Sequence, residues 1–219
     1  REIVLSRSYR QASTWQTAAF EKDPDNRLLW RMPKRRLDAE VIRDAMLSVS
    51  GEIDLSPRPG SLVAELESQS AGMIGFNKKI PDDLDGATYR SVYLPVMRDQ
   101  LPDVLRLFDF AEPSLVTGKR DSTNVPPQSL YLMNSDFIKA RAAALAKRIS
   151  QEAKDEEARI ETAYQRCFNR APSQHEMALV LDFLKAPFPE GIDSARESEK
   201  RLMDVCQALL ASADFRISD

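Results

Sequence analysis

The 219-residue chain carries 31 Lys and Arg against 34 Asp and Glu, a formal net charge of -3, with 42% hydrophobic and 30% charged residues. That balance is ordinary for a folded chain and gives no global reason to expect nucleic acid as a partner. No apolar run approaches the ~20 residues that span a bilayer, so no membrane span is expected.

The length fits one sizeable domain, and 1–219 is taken as a single domain with a variable, loop-rich stretch over about 52–88. The chain opens on "REIVLSRSYR", with neither an initiator Met nor a leader-like segment, and is expected to be a piece of something longer. "EIVLSRSYRQ" favours a helix over a short strand, since Ile3 and Val4 recur with Arg7 and Ser8 to leave one apolar edge. Asp23, Pro24, Asp25 and Asn26 form a turn cluster, after which Leu28, Leu29 and Trp30 read as core.

A helix is expected from about Leu37 to Ser50. Val41, Ile42, Ala45 and Val49 share one side at 100° per residue, with Met46 flanking. Asp38 and Glu40 sit where the helix dipole favours negative charge, and Gly51 where a left-handed cap needs no side chain. "YRSVYLPVMRD", 89–99, alternates like a short strand, and "PDVLRLFDF" opens a helix with Pro102 in its first turn.

The C-terminal half is helical throughout. "PPQSLYLMN" is a proline-led helical turn, and Ser135 caps a helix through Ile149 that buries Ile138, Leu145 and Ile149. A helix over about 152–169 aligns Ile160, Tyr164, Cys167 and Phe168. "SQHE", 173–176, is a capping box ahead of Met177, Val180, Leu181 and Leu184. "SARE", 194–197, reads as a second, ahead of Leu202, Val205, Cys206 and Leu209. Short connections make about 126–215 an antiparallel bundle, and the fold class is mainly α, with an irregular N-terminal helical region and a short β element before it.

Tests for familiar chemistry mostly fail. One histidine, His175, in the first turn of a capped helix, excludes a multi-histidine metal site and reads as solvent-facing. No Cys-x-x-Cys-His is present, so no c-type haem attaches to this chain. "TGKRDST" fails as a phosphate loop, since Arg120 stands where Ser or Thr is needed and Pro113 where the first Gly belongs. Cys167 and Cys206 read as buried free thiols, against a single bridge worth about 3–4 kcal/mol; a Cys167–His175 dyad lacks a supporting signature. Asp109, Glu112 and Asp121 lie in a turn-rich segment where a carboxylate pair for glycoside hydrolysis would be displayed, with solvated or capping acids as the plainer reading.

Segment 27–43 is locally basic, with Arg27, Arg31, Lys34, Arg35, Arg36 and Arg43, and three readings compete there. It is a ridge for a sulfated or carboxylated glycan, a plain surface, or an ionic lattice pairing Arg36 with Glu40 and Glu40 with Arg43. Leu47 on the same stripe favours a partly buried lattice.

"DPDNRLLWRMPKRRLDAEVIRDAMLSVSG", with "YRSVYLPVMRD", "LFDFAEPS", "GKRDSTNVPPQSLYLMNS" and "NRAPSQHE" following in order, closely resembles the domain of unknown function 1553 family of planctomycete secreted proteins. One departure is "DSTNVPPQSL", where relatives commonly carry a Thr pair and an Ala after the Gln. The resemblance implies an exported, periplasmic or extracellular parent, whose other domains often include a cytochrome c. It implies no cofactor in this chain, with haem c elsewhere in the parent, and it carries over no catalytic residues. The same blocks hold Arg36, Glu40, Arg43, Asp44, Tyr93, Arg98, Asp109, Arg120 and Gln128. Several are expected to converge, with Arg98 and Arg120 meeting the acids of the 36–44 helix or of the 109 loop. The expected role is an interaction or assembly module whose partners are other domains of the same parent. The alternatives are a polysaccharide-acting hydrolase or redox component, or a dock for a cytochrome.

Overall fold

The computed structural model describes residues 1–60, 84–96, 101–188, 191 and 193–218. They are mainly helical, with one two-stranded sheet among them. The chain divides into two compact units, Arg1–Leu37 with Arg216–Asp219, and Asp38–Phe215.

The smaller unit holds two short helices, α1 (Glu2–Leu5) and α2 (Thr17–Lys22), and strand β1 (Arg35–Arg36). β1 pairs antiparallel with β2 (Ile217–Ser218), Arg36 opposite Ile217, and the Leu37 amide donates to the Arg216 carbonyl at 2.8 Å. The turn at 23–26 forms as the sequence predicts. Asp23 is buried, and its carboxylate accepts from the amides of Arg27 (2.9 Å) and Leu28 (2.7 Å). Leu28 and Leu29 are exposed rather than core. The amides that Asp23 captures curl the chain so that Trp30 is tied down through Nε1 to the Asp23 carbonyl while both leucines project outward.

The larger unit is organised by α3 (Ala39–Ser50), α4 (Asp103–Leu107), α5 (Pro126–Asn134), α6 (Asp136–Glu152), α7 (Glu156–Phe168), α8 (Gln174–Lys185) and α9 (Ser194–Ala211). Helix α6 is the hub and packs against α3, α5, α7 and α9. Its apolar residues recur at i, i+3, i+4 and i+7, and Ile138, Ala142, Leu145 and Ile149 are wholly enclosed. Each large aliphatic side chain removed from water there contributes about 1.5–3 kcal/mol. The connections 153–155 and 169–173 are tight, so consecutive helices fold back on one another as a bundle.

The caps explain where the helices begin. Ser135 accepts from the Phe137 amide, and the Ser173–Glu176 capping box is complete in both directions. The expected box at Ser194 is absent: Asp193, one residue earlier, caps α9 by accepting from the Ala195 amide at 3.0 Å. Asp155 likewise starts the third bundle helix at Glu156 rather than near 152. The strand expected over 89–99 is, in its described part, a 3-10 turn at Ser91–Tyr93, with an isolated bridge from Asp54 to Tyr89. A strand needs its backbone groups for a neighbour, but the Ala87 and Tyr89 carbonyls and the Ser91 amide are already given to side chains of α3.

Candidate functional site

Helix α3 places the charged residues that the sequence singles out. Gly51 ends it in the left-handed region (φ 81°), with the Glu52 amide reaching back to the Leu47 carbonyl at 2.9 Å. Its buried positions are Ala39, Ile42, Arg43, Met46, Leu47 and Ser50, one continuous helical stripe. This face is rotated from the expected one. Val41 is exposed, and Arg43, at 0% exposure, occupies the middle of the core stripe.

A guanidinium with that little water must spend its donors on protein. Nη1 of Arg43 donates to the Tyr89 carbonyl at 2.9 Å and to Ser91 Oγ at 3.3 Å, and Nη2 donates to the Ala87 carbonyl. The carboxylate of Asp44, the next residue, lies 3.8 Å from Nη1 and accepts from the Ser91 amide (2.7 Å) and hydroxyl (2.6 Å). The Phe137 ring lies under both Arg43 (5.6 Å) and Arg141 (5.2 Å), and Arg141 is buried and ion-paired to Glu52 at 2.8 Å.

Glu40 does not pair with Arg43. It takes a bidentate fork from Arg120, Nη1 to Oε2 at 2.7 Å and Nη2 to Oε1 at 2.9 Å, and the guanidinium lies 4.7 Å from the Phe110 ring. These hydrogen bonds raise the Arg120 pKa further. The expected Arg36–Glu40 spacing fails because Arg36 lies in β1, where helical spacing does not apply. Asp109 sits at φ 62° and accepts from the Thr123 amide (2.9 Å) and hydroxyl (2.8 Å), closing the turn between α4 and α5. Gln128 is fully buried and donates from Nε2 to the Leu107 carbonyl at 2.9 Å. Arg98 lies outside the described residues.

Several residues of the same kind are missing from the sequence reading. Nη1 of Arg148, from α6, donates to the Ser48 and Val49 carbonyls at the end of α3, each at 3.2 Å. Arg201, buried in α9, donates to the carbonyls of Phe183, Leu184, Ala186 and Pro187 at the end of α8. Gln207 Nε2 does the same for Leu132 and Met133 at the end of α5. The signal was available: Arg43, Arg141 and Arg201 each sit within an apolar stripe of their own helix, where a charged residue must find internal partners.

The bundle face carries a second ionic group. Glu176 accepts a fork from Arg170 (2.8 and 2.7 Å) and the Ser173 amide (2.7 Å), and its pKa falls to about 2, chiefly through Arg170. Glu152 takes Arg166 and Arg148, which hold its carboxyl below the usual range. Both cysteines are free. Burial pushes the Cys167 thiol up to about 12 and raises that of Cys206 also, the opposite of what a nucleophile needs. His175 is exposed. Among the described residues no group of three His, Cys, Asp or Glu side chains is placed to hold a metal ion, and no helix is long and apolar enough to cross a membrane. A groove of about 910 Å³ between α6 and α9 is lined by charges of both signs, including Lys147, Glu197 and Lys200.

The family model described as "Protein of unknown function (DUF1553)" matches residues 1–184. Neither a curated protein nor a solved structure matches the chain.

Proposed function

The chain belongs to the DUF1553 family, and from that premise we propose that it is an interaction or assembly module of a larger, exported, planctomycete-type protein. Its partners are then the other domains of that parent, one of which carries the haem that this chain has no motif to attach. One observation carries the reading. Val125 precedes α5, Leu130 and Met133 lie three apart on it, and all three are exposed, as are Leu115 and Val116 of the preceding loop. Large side chains left outward on an otherwise well-packed bundle are what a docking partner would cover. The named polar residues support a scaffolding role, because they are spent internally: Arg43 on carbonyls, Arg120 on Glu40, Asp109 on Thr123. The hydrolytic alternative gains nothing from Glu40 or Asp109, whose oxygens are already engaged.

Two measurements test the proposal. An antibody to this chain should detect, in the exported fraction of the source cells, a species far larger than 24.7 kDa. Calorimetric titration of the chain with the rest of that protein should give a complex that Leu130→Ser with Met133→Ser weakens by roughly tenfold or more, given the size of interface hot spots. A cytoplasmic species of 24.7 kDa, or a complex indifferent to both substitutions, overturns the reading.

A further inference from the structure

The positive charge of the chain is concentrated in its smaller unit. Arg1–Leu37 and Arg216–Asp219 together hold ten Lys and Arg against five Asp and Glu, leaving 21 against 29 for the remainder. The family match assigns no use to that excess.

The unit also displays apolar groups in an unusual way. Leu28 is 82% exposed, and Leu29, also exposed, has φ 55°. A bulky L-residue in the left-handed region is a genuine outlier, held only where its surroundings over-determine it. Those surroundings are visible. Asp23 captures the amides of Arg27 and Leu28, and Asn26 clamps residue 31 through its backbone carbonyl (2.8 Å) and amide (3.3 Å). A polar frame therefore holds a strained turn that turns two leucines outward, where they contribute nothing to a core. Beside it, Trp15 is 52% exposed, 4.4 Å from Phe20 and 5.7 Å from Trp30 by ring centroids. The Arg31 guanidinium lies near both indoles, at 5.2 and 5.1 Å. Arg27 and Arg35 are exposed on the same unit.

We propose that this turn and its indole–guanidinium cluster form a peripheral contact with an anionic lipid surface: Leu28 and Leu29 enter the acyl boundary, Trp15 lies at headgroup level, and Arg27 and Arg35 meet lipid phosphates. The combination selects a lipid over other anions. Sugar rings and nucleobases stack on aromatic faces but have no use for two projecting leucines. A bilayer interface takes up all three classes at once: aliphatic tips, amphipathic indoles and cations. The chain lies on the surface under this reading and does not span it. The proposal is independent of the assembly reading, which rests on α5.

The two tryptophans of the chain, Trp15 and Trp30, both lie in this unit, so intrinsic fluorescence reports on it directly. The 219-residue chain is titrated with phosphatidylcholine vesicles, with and without a phosphatidylglycerol fraction, and binding is followed by emission shift and co-sedimentation. A blue shift with the anionic vesicles alone, lost at high salt, is the expected result. Leu28→Asp with Leu29→Asp should weaken partitioning by roughly tenfold or more, since a charge in the acyl boundary costs what the leucine gained. Both side chains are exposed, so the far-ultraviolet spectrum should be unchanged. Equal binding to neutral and anionic vesicles, no binding, or an unaffected double variant overturns the proposal. A shift with a soluble sulfated polysaccharide but not with vesicles overturns it too, and assigns the cluster to a glycan.

Discussion

Arg43 and Arg170 both lie against aromatic rings, the first near Phe137 and the second near Tyr164 and Phe168, but they answer to different partners. At the junction of α3 with residues 87–91, Arg43 is sealed from water and spends its donors on backbone carbonyls and one hydroxyl. At the junction of α7 and α8, Arg170 is partly exposed and forks onto the carboxylate of Glu176, with Asp214 at 3.2 Å. A carbonyl cannot titrate, and a buried one cannot turn to water when its donor is lost. The first region should therefore be insensitive to acid and intolerant of substitution, and the second the reverse.

Arg43→Met tests the first half of that contrast and should have the largest effect. It leaves the buried Tyr89 carbonyl and Ser91, and the part-buried Ala87 carbonyl, without their donor, at a cost of about 3–5 kcal/mol, comparable with breaking a buried ionic group. Arg43→Lys should recover little, because one ammonium cannot serve both carbonyls in the geometry of the fork. Urea unfolding at neutral pH measures both. A loss under about 1 kcal/mol would mean that water re-solvates the site, and the contrast with Arg170 would collapse.

Arg201→Met should come next. Its carbonyls belong to the open end of α8, nearer to solvent, so partial rehydration limits the loss to about 2 kcal/mol. Gly51→Ala should be smaller again, about 1–2 kcal/mol. The φ of 81° disfavours any side chain, and an added Cβ would lie 3.0 Å from Arg148 Nη1, which caps the same helix end. Part of that loss belongs to the contact. In the Arg148→Ala background Gly51→Ala should cost less, and additive losses would show that only the backbone matters.

The bundle was legible in the sequence because caps and apolar spacing agree there: Ser135, Ser173 and the stripe Ile138, Leu145, Ile149 stand where expected. The short β element was misplaced because alternation in "YRSVYLP" carries no information about who takes the backbone hydrogen bonds, and here Arg43 and Asp44 take them. The stripe Arg36, Glu40, Arg43, Leu47 was read as one helical line, but Arg36 lies in β1 and only Arg43 and Leu47 of the four are buried on α3. Its ionic partners were also missed, because local spacing favours neighbours three or four residues apart, whereas Glu40 reaches Arg120 across 80 residues. Exposed leucines at 28 and 29 violate the usual sorting of residues by polarity, so no reading of composition would have turned them outward. The β element and the partner of Glu40 were missed because long-range contacts override local preference, whereas the two leucines are turned out by a local polar frame, Asp23 and Asn26.

Acid titration isolates the second half of the contrast and should give the smallest effect. Arg170 depresses the Glu176 pKa to about 2, and its guanidinium stays protonated throughout. A depressed carboxylate adds stability that is complete above its unfolded pKa, near 4.5, and is lost as pH falls towards 2. The undiscounted shift would amount to a few kcal/mol. The pair is open to solvent, however, so about 1 kcal/mol is the expected share. Glu176→Gln keeps an oxygen for the Ser173 amide, so the helix cap survives while the charge and one arm of the Arg170 fork are removed. Chemical unfolding should therefore separate wild type from Glu176→Gln by about 1 kcal/mol at neutral pH, with the gap closing as pH falls through 4.5 towards 2. Glu152, held low by Arg166 and Arg148, keeps its own acid limb in both proteins. The loss from Arg43→Met should keep its size across the same range, because the carbonyls it strands have no proton to gain. If that loss instead shrinks in parallel with the Glu176 gap, Asp44 rather than the carbonyls is the partner that matters to Arg43, and the two junctions are of one kind.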